Sequence, residues 1–295
     1  MFKRFGVALA IGLLRLLAIL PYGLTARFGD ALGALLYRIP SRRRRVVHTN
    51  LALCFPQWSE AERERVARLH FRHAIRSYVE RSVQWFGSAR KLEKLIEVDS
   101  AVDLNDPDLP PTIFLGLHFV GIEAGSIFLN YSLHRRCGSL YTPMSNQEID
   151  RVAREARGRF DAEMVPRGDS ARAVLRWLRD RKPVMLGADM DYGLRNSTFV
   201  PFFGIQACTL TAVSRLAKAG RAQVVPFIGE VLPDYKGYRL KVFEPWQDYP
   251  TGDDALDARH MNAFLESQIP RIPEQYYWVH KRFKTRPPGE ASFYS

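Results

Sequence analysis

Pro110 and Pro111 lead into Thr112-Ile113-Phe114-Leu115, and the chain continues Gly116-Leu117-His118-Phe119-Val120-Gly121-Ile122-Glu123. The first run has the length, β-branched content and proline flank of a buried strand, and the residues after it have the apolar spacing of a helix. His118 therefore stands at a strand-to-helix corner. Within one regular helix His118 and Glu123 would point about 140° apart, because each residue turns the helix by about 100°. With His118 extended just ahead of the helix, Glu123 in the second turn can fold back toward its imidazole. A carboxylate on one ring nitrogen fixes the tautomer and leaves the other nitrogen free to take a proton from an alcohol. A lone histidine in such a place is more often structural than catalytic, so the rest of the chain has to decide.

Downstream of this corner short apolar runs alternate with helical segments. The pattern predicts a strand around Ser139–Tyr141, a helix from Asn146 to about Phe160, a helix opened by Asp169 or Ser170 and running to Arg179, and a strand over Pro183–Ala188. After these come a helix from about Thr209 to Ala219 and strands over Gln223–Val231 and Tyr238–Phe243. Such alternation implies an α/β fold, a mixed and largely parallel sheet flanked by helices. Ligands of such sheets collect beyond the carboxyl ends of the strands, where His118 and Asp189 both fall. Upstream, Arg42 to Phe55 reads as a short helix, and Ser59-Glu60-Ala61-Glu62 is a capping-box signature opening a long helix to about Phe86. Val66, Leu69, Ala74, Tyr78, Ser82 and Trp85 recur along that helix at helical spacing. A further helical piece, Ala89 to Ile96, precedes a proline-bounded linker over Asp103–Pro111. The expected organisation is an anchoring segment over 1–40, a helical region over 41–110 and an α/β core over 111–295, with 41–295 forming one catalytic domain.

An apolar fraction of 46% in 295 residues excludes disorder as the main state. The net charge is +12, and the first fifty residues carry nine Arg and Lys against Asp30 alone. That asymmetry points to an anionic surface near the amino terminus, membrane or nucleic acid. Phe5 to Leu20 is apolar except for Arg15, comes after Lys3 and Arg4, and ends at Pro21. No convincing cleavage site precedes the next apolar segment, Phe28 to Ile39, which argues against a cleaved signal. The reading is an uncleaved membrane-anchoring helix with a helical hairpin, spanning the bilayer or lying in its interface, with Arg15 snorkelling to the headgroups. Arg42-Arg43-Arg44-Arg45 then marks the cytoplasmic side and meets anionic membrane lipids. Cys54, Cys137 and Cys208 are odd in number and far apart, as expected of reduced, buried thiols.

Asp189-Met190-Asp191-Tyr192-Gly193 comes just after a strand end and suits a metal, a bound cation or a plain turn; its spacing does not choose. Phe199-Val200-Pro201-Phe202-Phe203-Gly204 is too apolar for a solvent loop and reads as core or as the wall of an acyl pocket, with Phe202 and Phe203 as its candidates. Arg157, Arg159 and Arg167 are placed near the same rim, and guanidinium groups suit phosphate or a developing oxyanion. His70 and His73 have helical metal-ligand spacing but no carboxylate partner, so surface or packing roles fit them better. Tyr276-Tyr277-Trp278-Val279-His280-Lys281-Arg282-Phe283-Lys284-Thr285-Arg286 interleaves aromatics with cations, a composition for nucleic acid, a lipid headgroup surface or an acidic carrier protein. No helix-turn-helix, zinc-finger, RNA-recognition, Walker, G-x-G-x-x-G or G-x-S-x-G signature occurs.

Taken together, Asn50-Leu51 with Cys54-Phe55-Pro56, the His118-x4-Glu123 corner, the Asp189-Met190-Asp191-Tyr192-Gly193 loop, the Phe199 to Gly204 run and the closing Arg282-Phe283-Lys284-Thr285-Arg286-Pro287 resemble the lipid A late acyltransferase family, in particular its lauroyltransferase branch, within the lysophospholipid acyltransferase group. The resemblance implies transfer of a fatty acyl chain from acyl carrier protein to a hydroxyacyl chain of a tetraacylated lipid A precursor at the cytoplasmic face of the bacterial inner membrane. It carries the catalytic pair onto His118 and Glu123, and places Arg157 and Asp189 beside it. It implies no metal, cofactor, nucleotide or nucleic acid. Two other readings share the corner: an acyl-CoA-dependent acyltransferase on a glycerophospholipid or glycolipid, and a non-catalytic membrane adaptor in which His118 only packs.

Overall fold

Short apolar runs separated by helix-length segments build a sheet with helices on both faces. The computed structural model describes residues 2–294; the side chains of residues 2–5 and 169, among them Lys3, Arg4 and the expected helix opener Asp169, lie outside the described residues. In chain order the elements are α1 (Phe2–Ile19), α2 (Tyr22–Arg38), α3 (Arg42–Cys54), α4 (Glu60–Phe86), α5 (Ala89–Glu93), β1 (Ile96–Ser100), β2 (Thr112–Gly116), α6 (Ile122–Ser132), β3 (Cys137–Tyr141) and α7 (Gln147–Arg157). The second half holds β4 (Ala162–Pro166), α8 (Ala171–Arg179), β5 (Val184–Gly187), β6 (Ser197–Phe202), β7 (Ile205–Leu210), α9 (Ala212–Gly220), β8 (Gln223–Val231), β9 (Tyr238–Val242) and α10 (Asp254–Gln268).

Seven strands form one sheet in the order β1-β9-β8-β2-β5-β3-β4. Its neighbours run parallel except β8 and β9, whose short connection leaves no length for a crossover. β2 is buried at every position, as a central parallel strand covered on both faces must be. Its alternation feeds two cores: Ile113 and Leu115 pack with Trp177 and Val213, whereas Phe114 packs with Ala124 and Phe128. β1 lies at the sheet edge with Glu97 and Asp99 exposed, so the sheet recruits a strand from before the Asp103–Pro111 linker. The helix expected to reach Ile96 stops at Glu93 instead.

The Phe199 to Gly204 run forms one arm and the turn of a hairpin, with Val200 and Phe202 buried and Phe203 half-buried. Phe202 pairs with Ile205 across a two-residue turn, Phe203-Gly204, in which both residues have positive φ (49° and 80°). Phe202 is fully buried against Tyr276 and Phe283, and Phe203 packs on Phe55 at 4.9 Å between ring centroids.

The long α4 starts as its signature requires, with Ser59 Oγ accepting from the Glu62 N–H at 3.1 Å. The α1–α2 pair lies against it. A Cβ on Gly33 would sit 2.6 Å from Arg72 Cα, and one on Gly29 2.8 Å from Arg76 Cα, so the two helix backbones touch at these glycines. Arg72 Nε donates to Asp30 at 3.1 Å and Arg76 Nη2 to the Tyr22 hydroxyl at 2.8 Å across the same seam. Among the described residues no helix is long and apolar enough to cross a membrane. The spanning form of the expected anchor is therefore corrected: α1 has 18 residues, includes Lys3, Arg4 and Arg15, and breaks at Pro21 into α2. Arg15 is exposed and its guanidinium lies over the Phe86 ring of α4 at 5.4 Å. Leu9, Leu13, Leu16, Ile19, Leu24, Phe28, Leu35 and Ile39 nevertheless stay exposed along this pair.

Because the Gly33 contact is with backbone, no rotamer change can relieve a side chain there. Gly33→Ala should lower the stability of the detergent-solubilised protein by about 1–3 kcal/mol, the range for overpacking. A denaturant midpoint equal to wild type would show that α2 does not need this close approach.

Candidate active site

β2 and β5 lie side by side with Gly116 opposite Gly187. Two residues beyond each glycine stand His118 and Asp189, so the register of the sheet itself delivers them together. His118 Nδ1 is 2.5 Å from Asp189 Oδ1, and the His118 backbone N–H donates to Asp189 Oδ2 at 3.1 Å. Asp189 is fully buried and the His118 side chain is 25% exposed. Burial alone would raise the Asp189 carboxyl, but attraction to the His118 ring and the hydrogen bonds from its ring and backbone outweigh this and hold it below the usual range. An ionised Asp189 accepts the Nδ1 proton, which leaves Nε2 as the proton acceptor. The ring rests on Gly187, where a Cβ would stand 2.9 Å from Cε1.

Glu123 does not fold back to His118. It sits in the first turn of α6 and accepts from Trp85 Nε1 at 2.8 Å, Arg157 Nε at 2.8 Å and Arg157 Nη2 at 2.6 Å. Burial opposes its charge, yet the Arg157 charge and hydrogen bond, helped by Arg81 and Trp85, bring its carboxyl down to about 2. Such a group stays anionic and anchors Arg157 in a bidentate fork. The expected His118–Glu123 contact is thus replaced by two separate pairs, His118 with Asp189 and Glu123 with Arg157. The cause is the corner: Phe119 bridges to Tyr276 and the Val120 N–H bonds Gln275 O, which turns α6 away before Glu123 is reached.

His118, Glu123 and Arg157 line one cavity of about 1410 Å³, with Asp189 buried behind His118. Its polar wall includes Arg81, Arg157, Arg167, Tyr78 and Tyr277, and its apolar wall Leu140, Met144, Met164, Met185, Leu186 and Leu216. That volume exceeds the roughly 300–1,000 Å³ of a small-molecule pocket. Phe202 and Phe203 are not part of its wall, because the hairpin turn directs them into the core. Arg167 lies at the cavity with its guanidinium 3.3 Å from the Tyr192 ring centroid. Arg159 is elsewhere, donating to the carbonyls of Gln84, Trp85 and Gly87 at the end of α4. Tyr78, Arg81 and Trp85 reach the site from α4; their i, i+3 and i, i+4 spacing was the available signal, indistinguishable in sequence from a packing face.

The closing segment clamps the strand ends rather than offering a free basic surface. Thr285 N and Oγ1 donate to Asp191, Arg282 is buried and donates to Cys208 O, Thr209 Oγ1 and Asn262 Oδ1, and Asn50 Nδ2 donates to the carbonyls of Trp278 and His280. The Tyr277 N–H donates to His118 O at 2.9 Å, tying this segment to the site. His70 Nδ1 donates to Glu274 O at 3.0 Å and His280 Nε2 accepts from the Asp191 N–H at 3.1 Å. Among the described residues no group of His, Cys, Asp and Glu has the arrangement of a metal site, and the Asp189 to Gly193 loop is bound by protein donors. Cys54, Cys137 and Cys208 are buried free thiols.

A histidine held by a buried carboxylate at the carboxyl edge of a parallel sheet, opening on a cavity with a long apolar wall, has the groups that a proton-abstracting transferase of lipid-sized substrates needs. The sequence model of the family described as "Bacterial lipid A biosynthesis acyltransferase" matches residues 1–285, and the chain belongs to that family. It is 35% identical to the lipid A biosynthesis lauroyltransferase of Escherichia coli K12 over 97% of this chain and 94% of that protein. It is 32% identical to the palmitoleoyltransferase of the same organism (96% and 92% covered) and 30% identical to its myristoyltransferase (91% and 81% covered). The protein is an O-acyltransferase of lipid A biosynthesis.

Burial holds His70 neutral, down to about 3, and His73 and His280 down to about 4, against an ordinary 6.5; for His280 the neighbouring His118 and Arg282 charges add to burial. Unfolded, each takes up a proton near pH 6.5, so between pH 6.5 and 4 the unfolded chain binds more protons. The stability these groups contribute is complete above pH 6.5 and is lost as pH falls, by about 1.4 kcal/mol per unit for each histidine. The urea midpoint should drop between pH 7.5 and 5.0, and His70→Asn should flatten that slope. A midpoint constant over this range would contradict the assignment.

Proposed function

We propose that this acyltransferase moves a saturated chain, lauroyl or close to it in length, from acyl carrier protein to the hydroxyl of a hydroxyacyl chain on a tetraacylated lipid A precursor. The observation that carries this reading is His118 Nε2, freed by the Asp189 bond at Nδ1, at a cavity large enough for more than one chain. His118 takes the acceptor hydroxyl's proton as the oxygen attacks the thioester carbonyl; the C–O bond forms, the C–S bond breaks, and the proton passes from His118 to the departing thiolate. No acyl-enzyme forms. Arg157, fixed by Glu123, sits in the same wall with its Nη1 facing no described hydrogen-bond partner, and supplies positive charge to the carbonyl oxygen as it becomes anionic. Glu123 acts by positioning that guanidinium, so Glu123 and Arg157 serve together and Asp189 serves His118.

The reaction runs at the cytoplasmic face of the bacterial inner membrane. The apolar side chains exposed along α1 and α2, Ile19 at 79% and Leu9 at 64%, suit a helix pair lying in the interface. Arg42, Arg43 and Arg45 are exposed next to it and suit anionic lipids and the acidic carrier protein.

The test uses membranes containing the protein, a tetraacylated lipid A precursor and carrier protein loaded with saturated chains of varied length, read by mass spectrometry. One added acyl group is expected, with His118→Ala reducing its rate by about 10²–10⁴-fold, the ordinary worth of a general base. Absence of any added chain, with the protein folded and membrane-bound, would overturn the reading.

A further inference from the structure

The cations around the cavity are not equivalent. Arg157 is paired with Glu123, Arg215 with Asp254, Arg167 is stacked on Tyr192, and Arg172 and Arg195 stand in the wall exposed to water. Arg81 differs. It projects from α4 into the cavity wall with its guanidinium over the Tyr78 ring at 4.3 Å and near the Trp85 ring at 5.6 Å, and makes no ion pair among the described residues. Its Nε is buried and has no hydrogen-bond partner. Glu123, the carboxylate that feels the Arg81 charge, is already occupied on both oxygens by Trp85 and Arg157. A buried N–H left unpaired is costly, so its persistence beside a cavity calls for a partner that arrives with substrate.

The neighbours of Arg81 narrow the chemistry. Tyr78 and Tyr277 share one hydroxyl–hydroxyl hydrogen bond of 2.5 Å, which leaves one phenolic proton to donate. Tyr78 is 42% exposed, so the group lies at the rim, and Arg43 of the basic α3 start reaches the neighbouring Val279 carbonyl at 2.8 Å. A fixed guanidinium beside a phenolic donor, on a rim approached by further arginines, selects a multi-oxygen anion.

We propose that Arg81, with the Tyr78–Tyr277 pair, forms an anion subsite that holds a phosphate ester of a substrate and so sets how that substrate enters the cavity. The subsite rests on the acyl-transfer reading above for its purpose, and its ligand chemistry has two sources: a sugar phosphate of the lipid acceptor or the phosphate in the carrier arm of the thioester donor. It is separate from the Glu123–Arg157 pair, which faces the reacting carbonyl.

The experiment titrates the full-length protein with two soluble probes, glucosamine 1-phosphate and 4′-phosphopantetheine, following binding by calorimetry and by tryptophan fluorescence, with Trp85 as the reporter beside Arg81. One probe should bind wild type, weaken by about tenfold or more in Arg81→Gln and recover partly in Arg81→Lys, and its identity names the source. In turnover, Arg81→Gln should then raise KM for the matching substrate about tenfold with kcat within about twofold, whereas a merely structural arginine would lower kcat for every substrate alike. Equal binding of both probes by wild type and Arg81→Gln, or no binding of either, would overturn the proposal. Phosphate binding that depends on Arg81 in a protein that acylates no lipid A precursor would support the subsite and overturn the acceptor reading alone.

Discussion

Everything at this site depends on the lateral pairing of β2 with β5. Because Gly116 lies opposite Gly187, two strands far apart in sequence end level, and the residues two positions beyond, His118 and Asp189, meet without any loop having to search for the geometry. A parallel sheet supplies this for nothing more than correct register, and its burial on both faces makes register hard to slip. The glycines matter for space as well. Gly187 admits the imidazole, and Gly116 sits where a Cβ would meet Phe227 and Ile122 within 2.9 Å.

The second consequence is a division of labour between two acid–base pairs. One pair sets a tautomer and the other sets a charge. In sequence the His-x4-Glu spacing invites reading these as a single dyad, since the two residues are the nearest candidates along the chain. The fold separates them: the corner is pinned from outside by Tyr276 and Gln275 of the closing segment, and α6 leaves with Glu123 turned toward α4 and α7. Thus the aromatic and basic closing segment, whose composition suggests a binding surface, is chiefly a structural clamp, with Arg282 and Thr285 satisfied internally. Non-local hydrogen bonds of this kind leave no periodic trace.

The parts of the fold that were legible are those with strong local physics. The all-apolar β2, the β8 strand over Gln223–Val231 and the Ser59 cap of α4 stand where periodicity and capping put them. β1 and β4 were not legible, because they are short sheet-edge strands carrying exposed charge, Glu97 and Asp99 in one and Glu163 in the other. Thr209 reads as the start of a helix but ends up in β7, since the β6–β7 hairpin needs partners for six residues and α9 waits until Ala212. α10 carries no clear apolar stripe; its start is fixed by Asp253 accepting from Ala255 and Leu256, a signal visible only once a helix is suspected. For the site, the strand-end location of His118 and Asp189 was readable from the α/β alternation, whereas their direct bond, the Arg157–Glu123 fork and the role of α4 required the tertiary structure.

The most direct test of this account is the state of the His118 ring. Nuclear magnetic resonance of the ¹⁵N-histidine-labelled protein, assigned with His118→Gln, reports which ring nitrogen holds the proton and whether that proton sits in a strong hydrogen bond. A downfield Nδ1–H signal for His118 is expected, surviving in Glu123→Gln and disappearing in Asp189→Asn. Loss of the signal in Glu123→Gln with its retention in Asp189→Asn would contradict it and return the partnership to Glu123.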